Sequence, residues 1–363
     1  MTTVDASRVR VETQAEFDAK RGTELLTLEQ TARWALDRST YATHVHSLDD
    51  ERGILGAALV TARPGTNSAK IVDVAVRAGA DDGRAAEAIV EAVVLEARVA
   101  GLTAVKWEHW VTGQIDLARR LGFVALDAPL LSGGGTTGPA ASILRFHAVP
   151  VSQPPYYAQT TDFTCGAVSL LAALEILDGN GFSGESTEAN HREEMTLWRT
   201  ATNFPACEPI GLAVAAHHRR NGGAVSVRLD SPGAVLLEAF PGAAPVEFRA
   251  QLQRDTLVEA EALGIPIVRT RITSAEIADL VDTGAVVLLL IDLTRFHGIS
   301  TPHWVVAHSR VGNVVILQDP WVDDENGETW VDGVEVPVTF AELDDINTWG
   351  EASNRGAVIL PKP

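Results

Sequence analysis

This sequence has little cysteine, and its basic residues are few relative to its acidic ones. Only two cysteines, Cys165 and Cys207, occur among 363 residues. A disulfide scaffold is therefore excluded, and reduced thiols in a cytoplasmic protein are expected. The 29 lysines and arginines are outnumbered by 48 aspartates and glutamates, which gives a net charge of −19. Because nucleic acids and anionic membranes bind clustered positive charge, neither is expected as a partner.

Long hydrophobic runs are also missing. Residues 1–20 are polar and acidic, so no secretory signal peptide is predicted. The longest apolar stretch, Ala285 to Ile291, is far too short to cross a bilayer and is typical of a buried strand. Neither paired Cys-x-x-Cys motifs nor a P-loop occur, and no bound metal ion is predicted.

A change of composition near residue 150 divides the chain. The stretch from Ser132 to Pro139 is rich in glycine, and three prolines lie between Pro150 and Pro155. A single core rarely grows beyond about 250–300 residues, so two domains are expected. We predict domains at residues 1–149 and 150–363, joined in this proline-rich segment.

Strands and helices alternate in the first domain, which predicts an α/β fold. Strands are predicted at Arg8–Glu12, Ile54–Ala62, Ile71–Val76, Ala104–Trp107, Phe123–Leu126 and Ala141–Val149, and helices at Leu28–Asp37, Arg84–Ala100 and Gln114–Leu121. This order resembles the GNAT family of N-acetyltransferases. The resemblance implies that acetyl-CoA would lie on a glycine-containing turn before the long helix.

The stretch that matches this turn, Ala80 to Ala86, has one glycine and two aspartates. The charges of Asp81 and Asp82 would repel a diphosphate at the helix N-terminus. We therefore expect a GNAT-like domain with a degenerate cofactor site and no bound cofactor.

The second domain has helices first and strands after them, which predicts an α+β fold. Helices are predicted at 167–177, 192–199 and 210–219, and strands at Val225–Leu229, Ile267–Arg271, Val286–Ile291, Trp304–His308 and Val314–Gln318. A hairpin turn at 311–313 is expected to join the last two strands.

A catalytic nucleophile is predicted at Cys165, where the first of these helices begins. The reactive form of cysteine is the thiolate, which a helix N-terminus favours. His303 opens a strand 138 residues later, within the window of about 130–150 residues known for papain-type enzymes. Asp319 closes the next strand and is placed to orient the imidazole. Gln159 stands six residues before Cys165. Its side-chain amide is expected to form an oxyanion hole together with the backbone N–H of Cys165.

Each of these residues also has a simpler interpretation. Cys165 can be a buried hydrophobe, as we expect for Cys207. His303 can be an ordinary strand-end histidine, and Asp319 with Pro320 a plain turn. Asp162 would oppose a thiolate if its charge pointed inward.

Four further residues are expected to contact substrate. They are Gly166, Trp304, Trp198 and Arg199. The last two share a helix with Glu194, so a structural ion pair of Arg199 is the alternative.

Several short motifs in the second domain resemble the bacteriocin-processing cysteine peptidases, a papain-like family, in the bacterial branch that carries an N-terminal GNAT-like domain. They are Tyr156-Tyr157-Ala158-Gln159, Phe163-Thr164-Cys165-Gly166, Leu197-Trp198-Arg199, Pro209-Ile210-Gly211-Leu212-Ala213, Pro302-His303-Trp304-Val305-Val306 and Asp319-Pro320. The resemblance implies a Cys165–His303–Asp319 triad with Gln159 in the oxyanion hole. Two departures are Ala167, where the family often has proline, and residues 202–208, where it has a glycine-rich loop.

Together, the motifs predict a thiol enzyme that acts on a peptide amide or an acyl thioester, free or bound to a carrier protein. Hydrolysis and transfer to an amine both remain open. One alternative is an acetyl-CoA-dependent N-acyltransferase in the first domain. The other is an accessory protein with a vestigial triad. The sequence predicts no oligomeric state.

Overall fold

The chain folds into two compact units that are each built from several segments. The structure, a computed structural model, describes residues 8–20, 22–79, 83–133, 138–147, 153–182, 184 and 186–363. Unit 1 comprises Met1–Asp127, Thr137–Ala148 and Asp323–Asp332, and unit 2 comprises Ala128–Thr136, Val149–Val322 and Gly333–Pro363. The predicted domain ranges, 1–149 and 150–363, stay a prediction.

Unit 1 is built on a seven-stranded sheet in the order β1-β2-β3-β4-β5-β7-β6. Its strands are β1 (Arg10–Glu12), β2 (Ala42–Asp50), β3 (Gly53–Ala62), β4 (Ser68–Val76), β5 (Ala104–His109), β6 (Val124–Ala125) and β7 (Ala140–Arg145). Its helices are α1 (Gln14–Ala19), α2 (Leu28–Trp34), α3 (Arg84–Val99) and α4 (Gly113–Arg120). Neighbouring strands are antiparallel except β4 and β5, which run parallel on either side of the connection through α3.

Helices cover both faces of this sheet. The apolar side of α3, with Ile89, Val90 and Val93, shares a core with Leu48 of β2. On the other face, Phe17 of α1 packs in a separate core with Trp34 of α2. The predicted α/β order is confirmed, although β2 and α1 were not predicted.

Buried charges hold the segment Asp323–Asp332 within unit 1. Lys70 forms ion pairs with Glu108, at 2.8 Å, and with Asp332. Arg63 lies 3.0 Å from a carboxylate oxygen of Glu328. Burying charges is costly unless they are paired, so this segment is matched specifically to its site.

Unit 2 contains a second seven-stranded sheet, in the order β13-β12-β11-β10-β14-β8-β9. Its strands are β8 (Ser226–Leu229), β9 (Ile267–Val268), β10 (Val286–Asp292), β11 (Pro302–Val311), β12 (Val314–Gln318), β13 (Val336–Thr339) and β14 (Gly356–Leu360). Its helices are α5 (Cys165–Asp178), α6 (Thr187–Ala201), α7 (Pro209–Arg219), α8 (Val246–Ala262), α9 (Ser274–Asp282), α10 (Thr294–His297) and α12 (Phe340–Ile346), and α11 (Trp330–Gly333) runs in from the last segment of unit 1. Neighbouring strands are antiparallel except β8 and β9.

The central strand β10 explains the longest apolar run of the sequence. Alternate residues of a strand point to opposite faces. Leu288 and Leu290 belong to the core on the α5 side, and Leu289 and Ile291 to the core on the α9 side. Because both faces are covered, the strand is apolar from Val286 to Ile291, as the sequence predicted.

The part of the chain that the structure describes contains no helix long and apolar enough to cross a membrane.

Candidate active site

Cys165 is the first residue of α5, a largely buried helix of unit 2. All residues from Cys165 to Leu174 are buried, and 7% of Cys165 is exposed. Thr164, the N-cap residue, makes no side-chain hydrogen bond to the first turn. The backbone N–H groups of that turn, including that of Cys165, have no partner within the helix and can receive an anion.

A hydrogen bond ties α5 to the strand that carries the histidine. The Ser169 hydroxyl donates to the Trp304 carbonyl at 2.9 Å. His303 precedes Trp304 at the start of β11. This contact therefore helps to bring His303 to the end of α5 that begins with Cys165.

His303 and Asp319 form a buried pair at the ends of two neighbouring strands. β11 and β12 are antiparallel, with Val306 opposite Gln318, so Asp319 follows directly on the strand beside the histidine. His303 Nε2 lies 2.7 Å from Asp319 Oδ1. The same oxygen accepts a hydrogen bond from the Trp321 backbone N–H at 2.9 Å. The carboxylate is thus held by two donors.

The second nitrogen of the imidazole is left for the cysteine. Burial alone would lower the pKa of His303, but the charge and hydrogen bond of Asp319 and a hydrogen bond with the Cys165 thiol raise it to about 9. Because Nε2 is bonded to Asp319, Nδ1 is the nitrogen that faces the thiol. His303 and Asp319 are therefore hydrogen-bonded, and the pKa of His303 also reflects the neighbouring Cys165 thiol.

Gln159 lies on the loop that leads to α5. Its backbone N–H donates to the Pro320 carbonyl at 2.9 Å, which ties this loop to the segment just after Asp319. Its side-chain Nε2 donates to the Thr161 carbonyl at 2.8 Å, and Oε1 is buried without a partner among the described residues. Since a carbonyl accepts only from the NH₂ group, this bond fixes the amide orientation and leaves one amide hydrogen free.

A buried carboxylate organises the same loop. Glu194 of α6 is completely buried. Its Oε1 accepts from the Thr160 backbone N–H at 2.9 Å and the Thr164 hydroxyl at 2.5 Å. Its Oε2 accepts from the hydroxyls of Tyr157 and Thr160, each at 2.9 Å. Glu194 therefore fixes the chain on both sides of Gln159 and up to the residue before Cys165.

Gly166 and Trp304, two of the predicted substrate contacts, are packing residues in the structure. A Cβ on Gly166 would lie 2.8 Å from Cys207 Cβ and 3.1 Å from Trp304 Cδ1. The Trp304 indole N–H donates to the Cys207 carbonyl at 3.0 Å, and its ring is buried. The small size of Gly166 lets α5 approach β11. A contact of either residue with substrate stays a prediction.

Trp198 and Arg199 are more accessible. The Trp198 indole donates to the Pro205 carbonyl at 2.7 Å, and its ring lies 5.2 Å from that of Phe163 and 6.4 Å from that of Phe204. Phe204 is 45% exposed. Arg199 is exposed and forms no ion pair with any described residue, so the structural ion pair considered as an alternative is absent there.

The sequence did not reveal several neighbours of the site. Trp321 lies edge-on to the His303 ring at 5.8 Å and stacks on His297 at 6.0 Å. Phe204 and the role of Glu194 were also missed. A tryptophan two residues after the aspartate was the available signal for Trp321. No signal marked Glu194, because its partners lie 30–37 residues away in the sequence.

Two residues would complicate a thiol site at Cys165: Cys207 as a second thiol, and Asp162 as a nearby negative charge. Neither does so in the structure. Cys207 is completely buried, and burial, followed by the charges of Cys165 and Glu208, raises the pKa of its thiol. It is therefore an inert thiol at neutral pH. Asp162 is exposed to solvent, which screens its charge.

The comparisons with known proteins match the N-terminal and C-terminal parts of the chain separately. A model of DUF3335, described as a Peptidase_C39 like family, matches residues 154–361. No curated protein matches the sequence significantly.

Solved structures similar to the N-terminal part are acetyltransferases. The ribosomal-protein-alanine N-acetyltransferase of Brucella melitensis is 18% identical, with 38% of this chain and 99% of that chain covered and a TM-score of 0.27. A GCN5-related N-acetyltransferase of Kribbella flavida is 18% identical, with coverages of 39% and 99% and a TM-score of 0.28. The ribosomal-protein-S18-alanine N-acetyltransferase of Escherichia coli is 14% identical, with coverages of 37% and 90% and a TM-score of 0.28.

The family match confirms the resemblance found in the second domain, and the elements of the two units confirm the predicted mixed α/β architecture. Similarity at this level gives no information about the chemistry of the N-terminal part. The predicted acetyl-CoA turn includes residues 80–82, which lie outside the described residues.

Proposed function

The chain belongs to DUF3335, a Peptidase_C39 like family, and on that basis we propose that it is a thiol enzyme which cleaves a peptide amide or an acyl thioester through an acyl-Cys165 intermediate. The observation that carries the proposal is the buried pair in which His303 Nε2 lies 2.7 Å from Asp319 Oδ1, with the Cys165 thiol contributing to the raised pKa of the imidazole. Asp319 favours the tautomer and the charged form that such an imidazole needs.

The first half of the reaction forms the acyl-enzyme. The thiol proton lies on His303 before the substrate binds, and the Cys165 thiolate attacks the carbonyl carbon of the substrate. The oxygen that becomes negative is stabilised by the free amide hydrogen of Gln159 and the backbone N–H of Cys165. When the tetrahedral intermediate collapses, the bond to the leaving group breaks, and His303 returns the proton to the leaving amine or thiolate.

The second half releases the acyl group. Water or an amine attacks the thioester carbon while His303 removes its proton, and the thiol of Cys165 is regenerated. Both acceptors use the same residues, so the cleft that admits the acceptor decides between hydrolysis and transfer. The partly exposed aromatic group formed by Phe163, Trp198 and Phe204 supports an apolar side chain or acyl chain as the part of the substrate bound there.

Alkylation of the free thiols tests the proposed nucleophile before any substrate is known. Full-length protein is treated with iodoacetamide at pH 6.5, and the modified residue is located by intact mass and peptide mapping. We expect one fast adduct, on Cys165, because the neighbouring imidazolium favours its thiolate. Replacing His303 by Ala should slow that alkylation at least about tenfold.

The second cysteine supplies the matched control. The variant Cys207→Ser should be alkylated like the wild type, and Cys165→Ala should not be alkylated at all under these conditions. Fast labelling of Cys207, or a Cys165 rate that is unchanged in a folded His303→Ala variant, would contradict the proposal.

A further inference from the structure

Two histidines and a glutamate meet in unit 1, away from the site described above. His44 and His46 are two residues apart on β2, so their side chains leave the strand on the same side. Leu48, two residues further on, shares the core formed with α3, which places this side against that helix. Glu96 lies near the end of α3.

The three side chains are already gathered. One possible ligand atom from each lies within 4.8 Å of the other two. His46 Nε2 is 2.7 Å from Glu96 Oε2, and the ring centres of His44 and His46 are 5.1 Å apart. Tetrahedral Zn²⁺ with bonds of about 2.0–2.1 Å needs ligand atoms about 3.3 Å apart. The ligand atoms, which lie within 4.8 Å of one another, are therefore at most about 1.5 Å farther apart than this spacing.

We propose that His44, His46 and Glu96 bind a divalent transition-metal ion of the Zn²⁺ type. Two imidazoles and one carboxylate are a donor set that suits zinc, and three protein ligands leave a fourth position for water. The Glu96 side chain is 48% exposed and His46 only 1% exposed, so the site lies at the surface with one ligand anchored in the core. The bound ion links β2 to α3.

The alternative for the same residues is a hydrogen-bonded pair of His46 and Glu96 with His44 beside it. In that case the cluster has no affinity for zinc beyond that of any surface histidine. The two interpretations therefore differ in stoichiometry, in affinity and in which substitutions remove binding.

Zinc titration of the full-length protein separates them. Because a thiol and an imidazole at Cys165 and His303 also attract zinc, the titration is made on the Cys165→Ala variant after metal removal with a chelator. We expect one equivalent of Zn²⁺ to bind, with the melting temperature raised as zinc is added. In the same background, His44→Ala and Glu96→Gln should each weaken binding at least about tenfold, since each removes one of three ligands.

Co²⁺ reports the coordination directly. Its visible absorption is expected to have the intensity of a four-coordinate ion and to disappear in His44→Ala. The control is the double variant His217→Ala, His218→Ala, which removes a partly buried and an exposed histidine at the end of α7 and should bind zinc as before.

The partly buried His44 is the main test residue, because replacing the buried His46 can disturb the core. Circular dichroism confirms that each variant is folded. Absence of binding, or binding that survives His44→Ala and Glu96→Gln, or binding that is lost in the α7 double variant, would overturn the proposal.

Discussion

At the scale of single residues, the carboxylate of Asp319 determines how the imidazole of His303 works. It occupies Nε2 and turns the other nitrogen toward Cys165. It also opposes the effect of burial, which would otherwise keep the ring neutral. Asp319 thus acts on catalysis through the charge state of its neighbour.

This leads to a prediction about Asp319→Asn. In the wild type His303 should titrate with a pKa of about 9, and in the variant this pKa should fall, because burial then dominates. Histidine-selective NMR over a pH series measures it. His308, whose pKa burial lowers to about 4, is an internal control in the same unit. A His303 pKa that is unchanged in the variant would contradict the account.

The same shift has a defined effect on stability. A folded-state pKa of about 9, above the ordinary 6.5, gives a contribution that is fully present below pH 6.5 and is lost as the pH rises through 9. Its size is on the order of 3 kcal/mol. In the Asp319→Asn variant, the free energy of unfolding should therefore lose most of this dependence on pH. Urea unfolding of both proteins at pH 6 and pH 10 measures the difference.

Gln159→Ala should separate the reactivity of the Cys165 thiol from the stabilisation of an oxyanion. Alkylation by iodoacetamide passes through no oxyanion, so its rate at Cys165 should not change. Turnover of an ester or thioester substrate does pass through one, and kcat should fall about 10²–10³-fold. An equal loss in both assays would show that Gln159 acts on the thiol instead.

Glu194→Ala should, like Gln159→Ala, lower kcat and leave the alkylation rate of Cys165 unchanged. The reason is that Glu194 acts by holding the loop around Gln159. The double variant should be scarcely slower than either single variant, since both remove the same stabilisation. Glu194→Gln keeps one acceptor oxygen for the Thr160 N–H and should recover most of the activity. Fully additive losses in the double variant would contradict this positioning role.

Sequence alone located Cys165, His303, Asp319 and Gln159 because each stands at the start or end of a regular element with a distinctive neighbour. Their catalytic roles stay predictions, whereas the hydrogen bond between His303 and Asp319 is a structural fact. Glu194 could not be assigned in this way, because its four donors belong to a loop that no local pattern connects to α6.

At the scale of secondary-structure elements, the fit of α5 against β11 depends on Gly166. Replacing it by Ala puts a methyl group 2.8 Å from Cys207 Cβ, a backbone-anchored atom that cannot rotate away. We expect a loss of about 1–3 kcal/mol in the free energy of unfolding, together with reduced alkylation of Cys165. Thermal or urea unfolding measures the first effect.

The matched control is Gly113→Ala at the start of α4. A Cβ there meets no atom within 4 Å. The substitution should leave stability unchanged or raise it by about 0.4–1 kcal/mol. Equal destabilisation by both substitutions would show that loss of glycine, and not the contact with Cys207, is responsible.

Elements with a clear pattern were predicted and elements without one were missed. The prediction of β10 followed from its continuous apolar run, and that of the hairpin between β11 and β12 from Gly312. β2 was missed because His44 and His46 occupy positions where a strand usually has apolar residues. α8 was missed because two of its buried residues, Arg249 and Gln253, are polar.

At the scale of the whole molecule, the sequence did not predict that unit 1 is built from three separate segments of the chain. The segment Asp323–Asp332 is bound by ion pairs that join residues more than 200 positions apart, such as Arg63 with Glu328. Single acidic residues in a strongly acidic chain give no sign of such partners.

The N-terminal part also leads to a prediction about cofactor binding. The sequence places Asp81 and Asp82 in the stretch that resembles the diphosphate-binding turn of GNAT enzymes, and from this position they are predicted to repel a diphosphate. Isothermal titration of the full-length protein with acetyl-CoA should therefore give no specific heat. Saturable binding of one equivalent, lost when Arg84 is replaced by Glu, would instead favour the N-acyltransferase alternative.

The most direct test of the central claim is intact-mass spectrometry of the acyl-enzyme. Full-length protein is mixed with peptide thioesters and acyl thioesters of a small thiol, quenched in acid and weighed. We predict a mass increase of one acyl group, located on Cys165, that also forms in Cys207→Ser and is absent in Cys165→Ala. Product formation that continues undiminished in Cys165→Ala, with no adduct on the wild-type protein, would contradict an acyl-Cys165 mechanism.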